Sequence, residues 1–472
     1  VTLLRRTARG AAWTFGGFQV TGVLTFASSI VVARLLDPSE LGRYALVASV
    51  VAVVGAAGSL QVGGYYVVAA QASPRLLRTG LAMELATGAL LFACLCAGAF
   101  VYGASTGQWD ICGYLLLAGG VLLTNPLGSL SAAFARELEY RTPTVAQVAA
   151  FVLSVGVKIA LVVAGFGIWG LLAGDVLLSA VYGLAMLALV PAGRGLALDR
   201  VLARRQLAFG IPLLVSGFLG MATLRSQDFI VAGLLDTHAL GLFYLATRLA
   251  NQAFMLGRSL AVPLLPAFSR STDAQLARGF AMTTRLSGFF IALPLAVAVP
   301  LARPLVETLY GEKWSPAALA LTVLFAAMAI RFVLWHTGNL LKSRGRVREI
   351  TWLSVLQLVL TLVACTAGAA LGGVTGVALG VLAVEIALVL PKLRLIRSVV
   401  PFRIAASVRD PLLALVLGTA VAAVLARLVD GTAALVAAAC AVAIVFLAVA
   451  RTTEPSSFAA VLAAFRRLPR EA

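Results

Sequence analysis

Arg225 and Asp228 stand three residues apart, about one helical turn, inside an apolar stretch. In the next apolar stretch Arg248, Asn251, Gln252, Met255, Arg258 and Ser259 recur at spacings that put them on one side of a helix. Two arginines and two amides on one face of an otherwise apolar helix need water, an anion or acidic partners. Asp228 can neutralise only one of the three arginines. The pattern therefore reads as a basic cavity for an anionic headgroup, and a fully paired network between helices is the other reading. Arginine suits phosphate because its planar fork donates two hydrogen bonds at once. Arg248 and Arg258 are about 15 Å apart along a helix at a rise of roughly 1.5 Å per residue. That spacing fits two stations along a path better than one clamp.

Other polar residues fall inside apolar stretches. Thr14, Thr21, Thr25 and Ser28 share a helical face, and their hydroxyls can either line a cleft or bond back to their own helix. Lys158 and Asp175 are equally far from a turn centred near Phe166–Gly167, which reads as a buried ion pair between adjacent antiparallel helices. Glu385 falls level with about Gln357, as a hydrogen-bonded match or as a group that exchanges a proton or sodium ion. Arg331, Trp335, Gly338 and Lys342 form a stripe, and with Arg285 they can receive a headgroup near the cytoplasmic mouth. Glu84 reads as a snorkelling side chain near a segment end, and His336 as an interfacial or packing residue. Asp228, Glu385 and Asp175 are then the deep carboxylates available for ion coupling.

These residues have to be positioned by membrane-spanning helices. The chain has 472 residues, 61% of them hydrophobic and only 12% charged. Soluble domains carry roughly 25% charge, so this composition cannot cover a soluble surface of this size. Fourteen apolar segments follow one another, six before a break at 191–205 and eight after it. The chain reads as all-α and polytopic, with about fourteen transmembrane helices. The divisions are a six-helix lobe at 1–190, a cytoplasmic linker at 191–205, a second six-helix lobe at 206–400, two further helices at 401–451 and a basic cytoplasmic tail at 452–472. Arg5, Arg6 and Arg9 precede the first apolar run, which is read as a retained span and not a cleaved signal.

The break separates two copies of one pattern. Val32–Gly42, VARLLDPSELG, overlies Val231–Gly241, VAGLLDTHALG, at an offset of 199 residues. Asp37 falls on Asp236 and Gly42 on Gly241, and in the same register Leu77, Gly80, Ala82 and Met83 fall on Leu276, Gly279, Ala281 and Met282. Six segments separate the copies, so the repeats are parallel and imply two lobes related by an axis along the membrane normal. Asp37–Pro38–Ser39 reads as a turn with Ser39 as helix cap and Glu40 in the first turn. Basic residues orient the chain. With cytoplasmic termini, Arg75, Arg136, Arg200, Arg204, Arg278, Arg344, Lys392 and their neighbours lie inside. The opposite loops hold little more than Arg34, Arg43, Arg303, Lys313 and Arg427. The net charge of +18 is accordingly assigned to loops facing anionic membrane lipid, not to nucleic acid. The five cysteines lie in apolar segments without metal-ligand spacing, and no Walker lysine motif occurs. No metal, cofactor or catalytic group is expected.

The string Gly10–Tyr44, with ARLLDPSELGRY, resembles the polysaccharide-transporter branch of the multidrug/oligosaccharidyl-lipid/polysaccharide exporter superfamily. So does DFIVAGLLDTHALGLFYLATRLANQ, Asp228–Gln252, followed by Pro263 and Pro266. The resemblance covers essentially the whole chain. It implies a flippase that moves undecaprenyl-diphosphate-linked oligosaccharide to the outer leaflet of the bacterial inner membrane, with no enzymatic step. Peptidoglycan-precursor flippases and drug/cation antiporters of the same superfamily are the alternatives; a membrane polymerase, usually built with large external loops, or a non-transporting scaffold is disfavoured. Polysaccharide polymerase machinery is an implied partner. The resemblance further implies a cavity bordered by segments one, two, seven and eight, which places Arg34, Arg225, Arg248 and Arg258 in or near it. Asn251, Gln252, Thr21 and Thr25 would then meet the sugars.

Overall fold

The computed structural model describes residues 2–258, 268, 272–428 and 431–453. Among these, the regular structure is helical throughout. The order is α1 Thr2–Leu35, α2 Pro38–Gly58, α3 Val62–Val68, α4 Pro74–Thr106, α5 Trp109–Thr124, α6 Ala132–Arg136, α7 Arg141–Leu161 and α8 Gly167–Leu189. There follow α9 Arg200–Leu234, α10 Thr237–Arg258, α11 Asp273–Tyr310, α12 Ala317–Val333, α13 Thr337–Ser343, α14 Val347–Arg397, α15 Ile404–Leu428 and α16 Gly431–Thr453. Ten stretches among the described residues are helical, long and apolar enough to cross a membrane. Two of these are pairs of helices joined through a kink. Gly165 (φ 88°) and Gly167 (φ 50°) turn the chain between α7 and α8, and Gly373 (φ 56°) does so within α14. Side chains rarely adopt such angles, so glycine permits hairpins too tight for a conventional loop. Val23, Phe100, Val163, Leu390 and Ile444 stand well exposed on helix surfaces. Apolar residues facing outward, over backbones whose polar groups are satisfied within each helix, suit hydrocarbon as solvent.

The chain divides into two compact units. One comprises Val1–Tyr244 with Ser354–Val374, the other Leu245–Leu353 with Thr375–Ala472.

In the first unit, Leu77 and Leu81 of α4, Leu130, and Met186 with Val190 at the end of α8 form a buried cluster. Helix α2 begins with Asp37 as its N-cap, Pro38 in the first turn, and the Glu40 carboxylate accepting from the Asp37 amide at 3.0 Å. The cap is thus Asp37, not Ser39; the proline fixes the first helical φ two residues earlier than the hydroxyl suggested. At the start of α10 the Asp236 carboxylate itself accepts from the Ala239 amide at 2.6 Å. Both copies of the repeat therefore start a helix with the same aspartate. The copies also touch. A Cβ on Gly42 would lie 1.8 Å from the Thr237 carbonyl oxygen, and one on Gly241 would lie 1.8 Å from that of Pro38.

Two of the apolar stretches, residues 40–69 and 110–135, are interrupted within the fold. The stretch 40–69 stops at Gly58 and restarts as α3, and the stretch 110–135 stops at Thr124, passes through a 3-10 turn at Asn125–Ser131, and restarts as α6. The first break falls at Ser59–Gln61, where Gln61 takes a left-handed φ of 55°, and Asn125–Pro126 open the second.

In the second unit, Leu276 and Phe280 of α11 pack with Leu340, Leu393, Ile396 and Phe402. A second cluster joins α11 to the two C-terminal helices through Ala292, Ala296, Ala414, Ala422, Ala438 and Val442. Small residues let helices approach closely where no hydrophobic force drives them together in lipid. The last two helices therefore pack into the second unit through α11.

Candidate functional site

Asp228 is 5% exposed on α9, and its Oδ2 accepts from the Ser49 hydroxyl of α2 at 2.6 Å and from Arg225 Nη1 at 3.2 Å. The i, i+3 spacing on α9 brings the two charges together, and α2 supplies the third member. Arg225 keeps a quarter of its side chain exposed, while its Nε is buried without a hydrogen-bond partner. One edge of the guanidinium is thus held and the remaining donors are left for another acceptor.

A second network sits near the α7–α8 hairpin. Lys158 Nζ lies 2.5 Å from Asp175 Oδ1, and the Tyr44 hydroxyl donates to Asp175 Oδ2 at 2.7 Å. A Cβ on Gly174 would lie 2.0 Å from Lys158 Cγ, so that glycine makes room for the lysine stem. Removing one member strands a half-buried charge, at a cost of about 3–5 kcal/mol for a buried pair and less for one this exposed. Asp175→Asn should lower the yield of folded protein more than it lowers activity per folded molecule, and exchanging the two charges should recover part of the loss. Normal accumulation of both single variants, with no benefit from the exchange, would remove the pair from the account.

Thr21 donates to the Gly17 carbonyl at 2.9 Å and Thr25 to that of Thr21 at 2.7 Å, so both hydroxyls bond within α1. Thr14 and Ser28 do the same. Arg34 is exposed in the last turn of α1.

In the second unit, Arg248, Asn251 and Gln252 are half-buried on α10. Arg258 ends that helix, and its side chain, like those of Met255 and Ser259, lies outside the described residues, as do Pro263 and Pro266. Arg331 Nε donates to Glu385 Oε1 at 2.7 Å, and Lys392 Nζ donates to Glu385 Oε2 at 3.4 Å. Glu385 is fully buried there. The carboxylate matched with Gln357 in the sequence thus belongs to a three-residue charge cluster. Arg331 and Lys392 lie 54 residues before and 7 residues after it. Adjacent-segment levelling finds only hairpin neighbours, so it could not reach Arg331. The Arg331–Lys342 stripe is not continuous, because α12 ends at Val333 and α13 starts afresh at Thr337. Arg285 forms an ion pair with Asp410 of α15, which Arg409 also contacts at 3.1 Å. His336 is fully buried, with Nε2 2.7 Å from the Ser287 hydroxyl. It is a core residue, not an interfacial one.

Among the described residues Arg225, Lys158, Arg285 and Arg331 are thus each paired with a carboxylate. Among the described residues no group of His, Cys, Asp and Glu is arranged to hold a metal ion. The fold defines a polytopic all-α membrane protein. Residues 31–319 match the family described as polysaccharide biosynthesis protein, and the chain belongs to that family, within the multidrug/oligosaccharidyl-lipid/polysaccharide exporter superfamily. The succinoglycan biosynthesis transport protein ExoT of Rhizobium meliloti (strain 1021) is 26% identical over 380 residues, 77% of this chain and 75% of that protein. A solved structure described as lipid II flippase MurJ in an inward closed conformation superposes with a TM-score of 0.76 at 13% identity, covering 94% of this chain and 98% of that one. A mutant form of the Vibrio cholerae MATE transporter VcmN superposes with a TM-score of 0.59 at 14% identity over 84% of this chain and 98% of that one. By their names these relatives are transporters or flippases, and the chain is a polytopic membrane protein.

Proposed function

We propose that this protein is a flippase that moves a polyprenyl-diphosphate-linked oligosaccharide from the cytoplasmic to the outer leaflet of the bacterial inner membrane. The observation that carries this reading is Arg225, buried at its Nε, held on one side by Asp228 and Ser49, in a chain of the polysaccharide biosynthesis family. A diphosphate is the one strongly anionic part of such a lipid, and it leaves water only with charge compensation. Arg225 of α9, and Arg248 and Arg258 of α10, serve as successive stations for it. Asn251 and Gln252 meet the sugars, and the prenyl tail stays in the bilayer. The architecture is fourteen spans, as two parallel six-helix repeats and two further helices, working by alternating access.

A specific observation favours a second reading. The fold match to the lipid II flippase runs over nearly the full length of both chains. Lipid II is also a polyprenyl diphosphate carrying sugars, so the peptidoglycan precursor suits the same arginines. The ExoT relative, named for succinoglycan biosynthesis transport, favours a polysaccharide repeating unit. The lipid that co-purifies with the protein from its native membrane distinguishes them by mass spectrometry. A polyprenyl diphosphate bearing a repeating-unit oligosaccharide supports the first reading and one bearing a muropeptide the second. Recovery of neither, with transport of cationic drugs instead, would move the protein to the antiporter reading.

The proposed orientation has both termini in the cytoplasm. Single cysteines at Arg200 and Lys313 should label with an impermeant reagent from inside and outside respectively. Labelling of position 200 from outside intact spheroplasts would invert the topology.

A further inference from the structure

The deep carboxylates Asp175, Asp228, Glu385 and Asp410 each have a cation beside them. Glu84 of α4 is different. Among the described residues no ion pair involves it. Instead of snorkelling to a surface, it lines a cavity of about 360 Å³ inside the first unit. That volume falls within the range of about 300–1,000 Å³ usual for small-molecule sites.

The cavity sits where two apolar stretches are interrupted. Helix α2 ends at Gly58 with Ser59 as its C-cap, and α5 runs directly into the 3-10 turn at Asn125–Ser131. Both stretches line the space. A Cβ on Gly88 would lie 2.3 Å from the Leu122 carbonyl oxygen, so Gly88 lets α4 close on the end of α5. Glu84, one turn earlier on the same face of α4, is thereby brought opposite the 3-10 turn. Leu91, Leu122 and Pro126 supply an apolar wall, and Tyr182 of α8 adds a ring with a polar tip.

The polar groups around this space are biased toward acceptors. Gln61 Nε2 donates to the Ser59 hydroxyl at 2.9 Å, which leaves the amide oxygen of Gln61 as an acceptor. Ser129 donates to the Pro126 carbonyl at 2.7 Å and presents lone pairs. An ionised carboxylate offers about four acceptor positions. The Val62 amide and the Ser129 hydroxyl beside Glu84 do not fill them. A ligand that satisfies such a lining brings many donors and no negative charge.

We infer that this cavity receives the sugar nearest the diphosphate, a neutral hexose whose adjacent hydroxyls donate to the Glu84 carboxylate. The identity of the ligand rests on the flippase reading above, and the cavity adds a sugar position in the first unit to Asn251 and Gln252. Depth supports the assignment. Ser49, which holds Asp228 beside Arg225, precedes Gly55 of the cavity wall by six residues on α2. That is about 9 Å along the helix at a rise of roughly 1.5 Å per residue, so a diphosphate at Arg225 leaves its first sugar at this level. Glu84 then also selects, because an acidic sugar would set a second negative charge against it.

The test is photo-crosslinking to the purified full-length protein in lipid nanodiscs. The probe is a short-chain polyprenyl diphosphate carrying one neutral hexose with a diazirine on the sugar, and labelled peptides are read by mass spectrometry. Label should fall on residues 55–64 and 125–131 and be competed by the same lipid without the diazirine. Glu84→Gln should weaken that competition at least about tenfold, the scale of a hydrogen bond to a charged group. A competitor carrying a uronate should bind the unaltered protein at least about tenfold less tightly than the hexose. It should bind Glu84→Gln better than the unaltered protein, a gain that misfolding cannot produce. If Glu84→Gln fails to accumulate, Asn125→Ala, at an exposed side chain, should weaken hexose binding several-fold. Label confined to peptides outside the cavity overturns the inference, as does the absence of competable label or equal binding of hexose and uronate. Label in the cavity without flipping would remove the flippase reading and leave the sugar site, and flipping with label elsewhere would do the reverse.

Discussion

Gly42→Ala and Gly241→Ala should each cost the protein its folded yield. The two glycines are copies of one another in the repeat, and each admits a backbone carbonyl from the other copy's first turn. The built Cβ positions lie 1.8 Å from those oxygens. No rotamer change relieves the clash, because the opposing atoms are main chain. Overpacking a well-fitted core costs about 1–3 kcal/mol when side chains can adjust, and here the loss should exceed that range. Gly98→Ala and Gly217→Ala are the controls, since a Cβ at either meets nothing within 4 Å. Those substitutions should be neutral or gain up to about 1 kcal/mol of helix propensity. Monodisperse protein recovered on size-exclusion chromatography, and its thermal midpoint, give the comparison. If the Gly42 and Gly241 variants match the Gly98 variant, the close crossing of the two copies is wrong.

The second large effect concerns Arg225 and Asp228, whose substitutions should fail in different ways. Asp228→Ala leaves the Arg225 charge without its carboxylate and Ser49 without its acceptor, a loss of about 3–5 kcal/mol for a broken buried pair. It should appear as low yield. Arg225→Ala leaves the buried Asp228 with only the Ser49 hydrogen bond, so yield should fall here too, and transport is compared per folded molecule. The folded fraction should translocate its lipid at least about tenfold more slowly, since a hydrogen bond to a charged group contributes about 1.5–3 kcal/mol. Arg225→Lys should recover only part of the rate, because a single ammonium cannot present the guanidinium's paired donors. Equal transport per folded molecule in Arg225→Ala and the unaltered protein would reduce the pair to a structural tie between α2 and α9.

Some of this was legible in the sequence for a plain physical reason. Lys158 and Asp175 straddle one hairpin, and residues equidistant from a turn end at one depth, so counting suffices to pair them. The repeat was legible because glycine and aspartate stand out against a leucine and alanine background. Its close crossing follows from the same two glycines, though the contact itself was not foreseen. The Arg331–Glu385–Lys392 cluster could not be read off. It joins α12 to α14, and periodicity within one helix does not say which distant helix its polar face meets. The pairing of Arg285 with Asp410 was hidden for the same reason, and with it the engagement of α15 in the second unit. The break after Thr124 had a local signal in Asn125–Pro126, whereas the one after Gly58 turns on the left-handed Gln61, which no residue type announces.

The central claim is transport of a polyprenyl-diphosphate-linked oligosaccharide, and the direct measurement is its translocation across a bilayer containing only this protein. A short-chain polyprenyl diphosphate carrying a fluorescent oligosaccharide is placed in both leaflets of proteoliposomes, and an impermeant quencher reports the outer pool over time. The account predicts that quenching proceeds past the outer half toward completion with the unaltered protein, and stops near one half in empty liposomes. It also predicts that quenching slows sharply with Arg225→Ala and Arg248→Ala at equal amounts of folded protein. Quenching that stops at one half with the unaltered, correctly folded protein, for both a repeating-unit oligosaccharide and a muropeptide-bearing lipid, would contradict it.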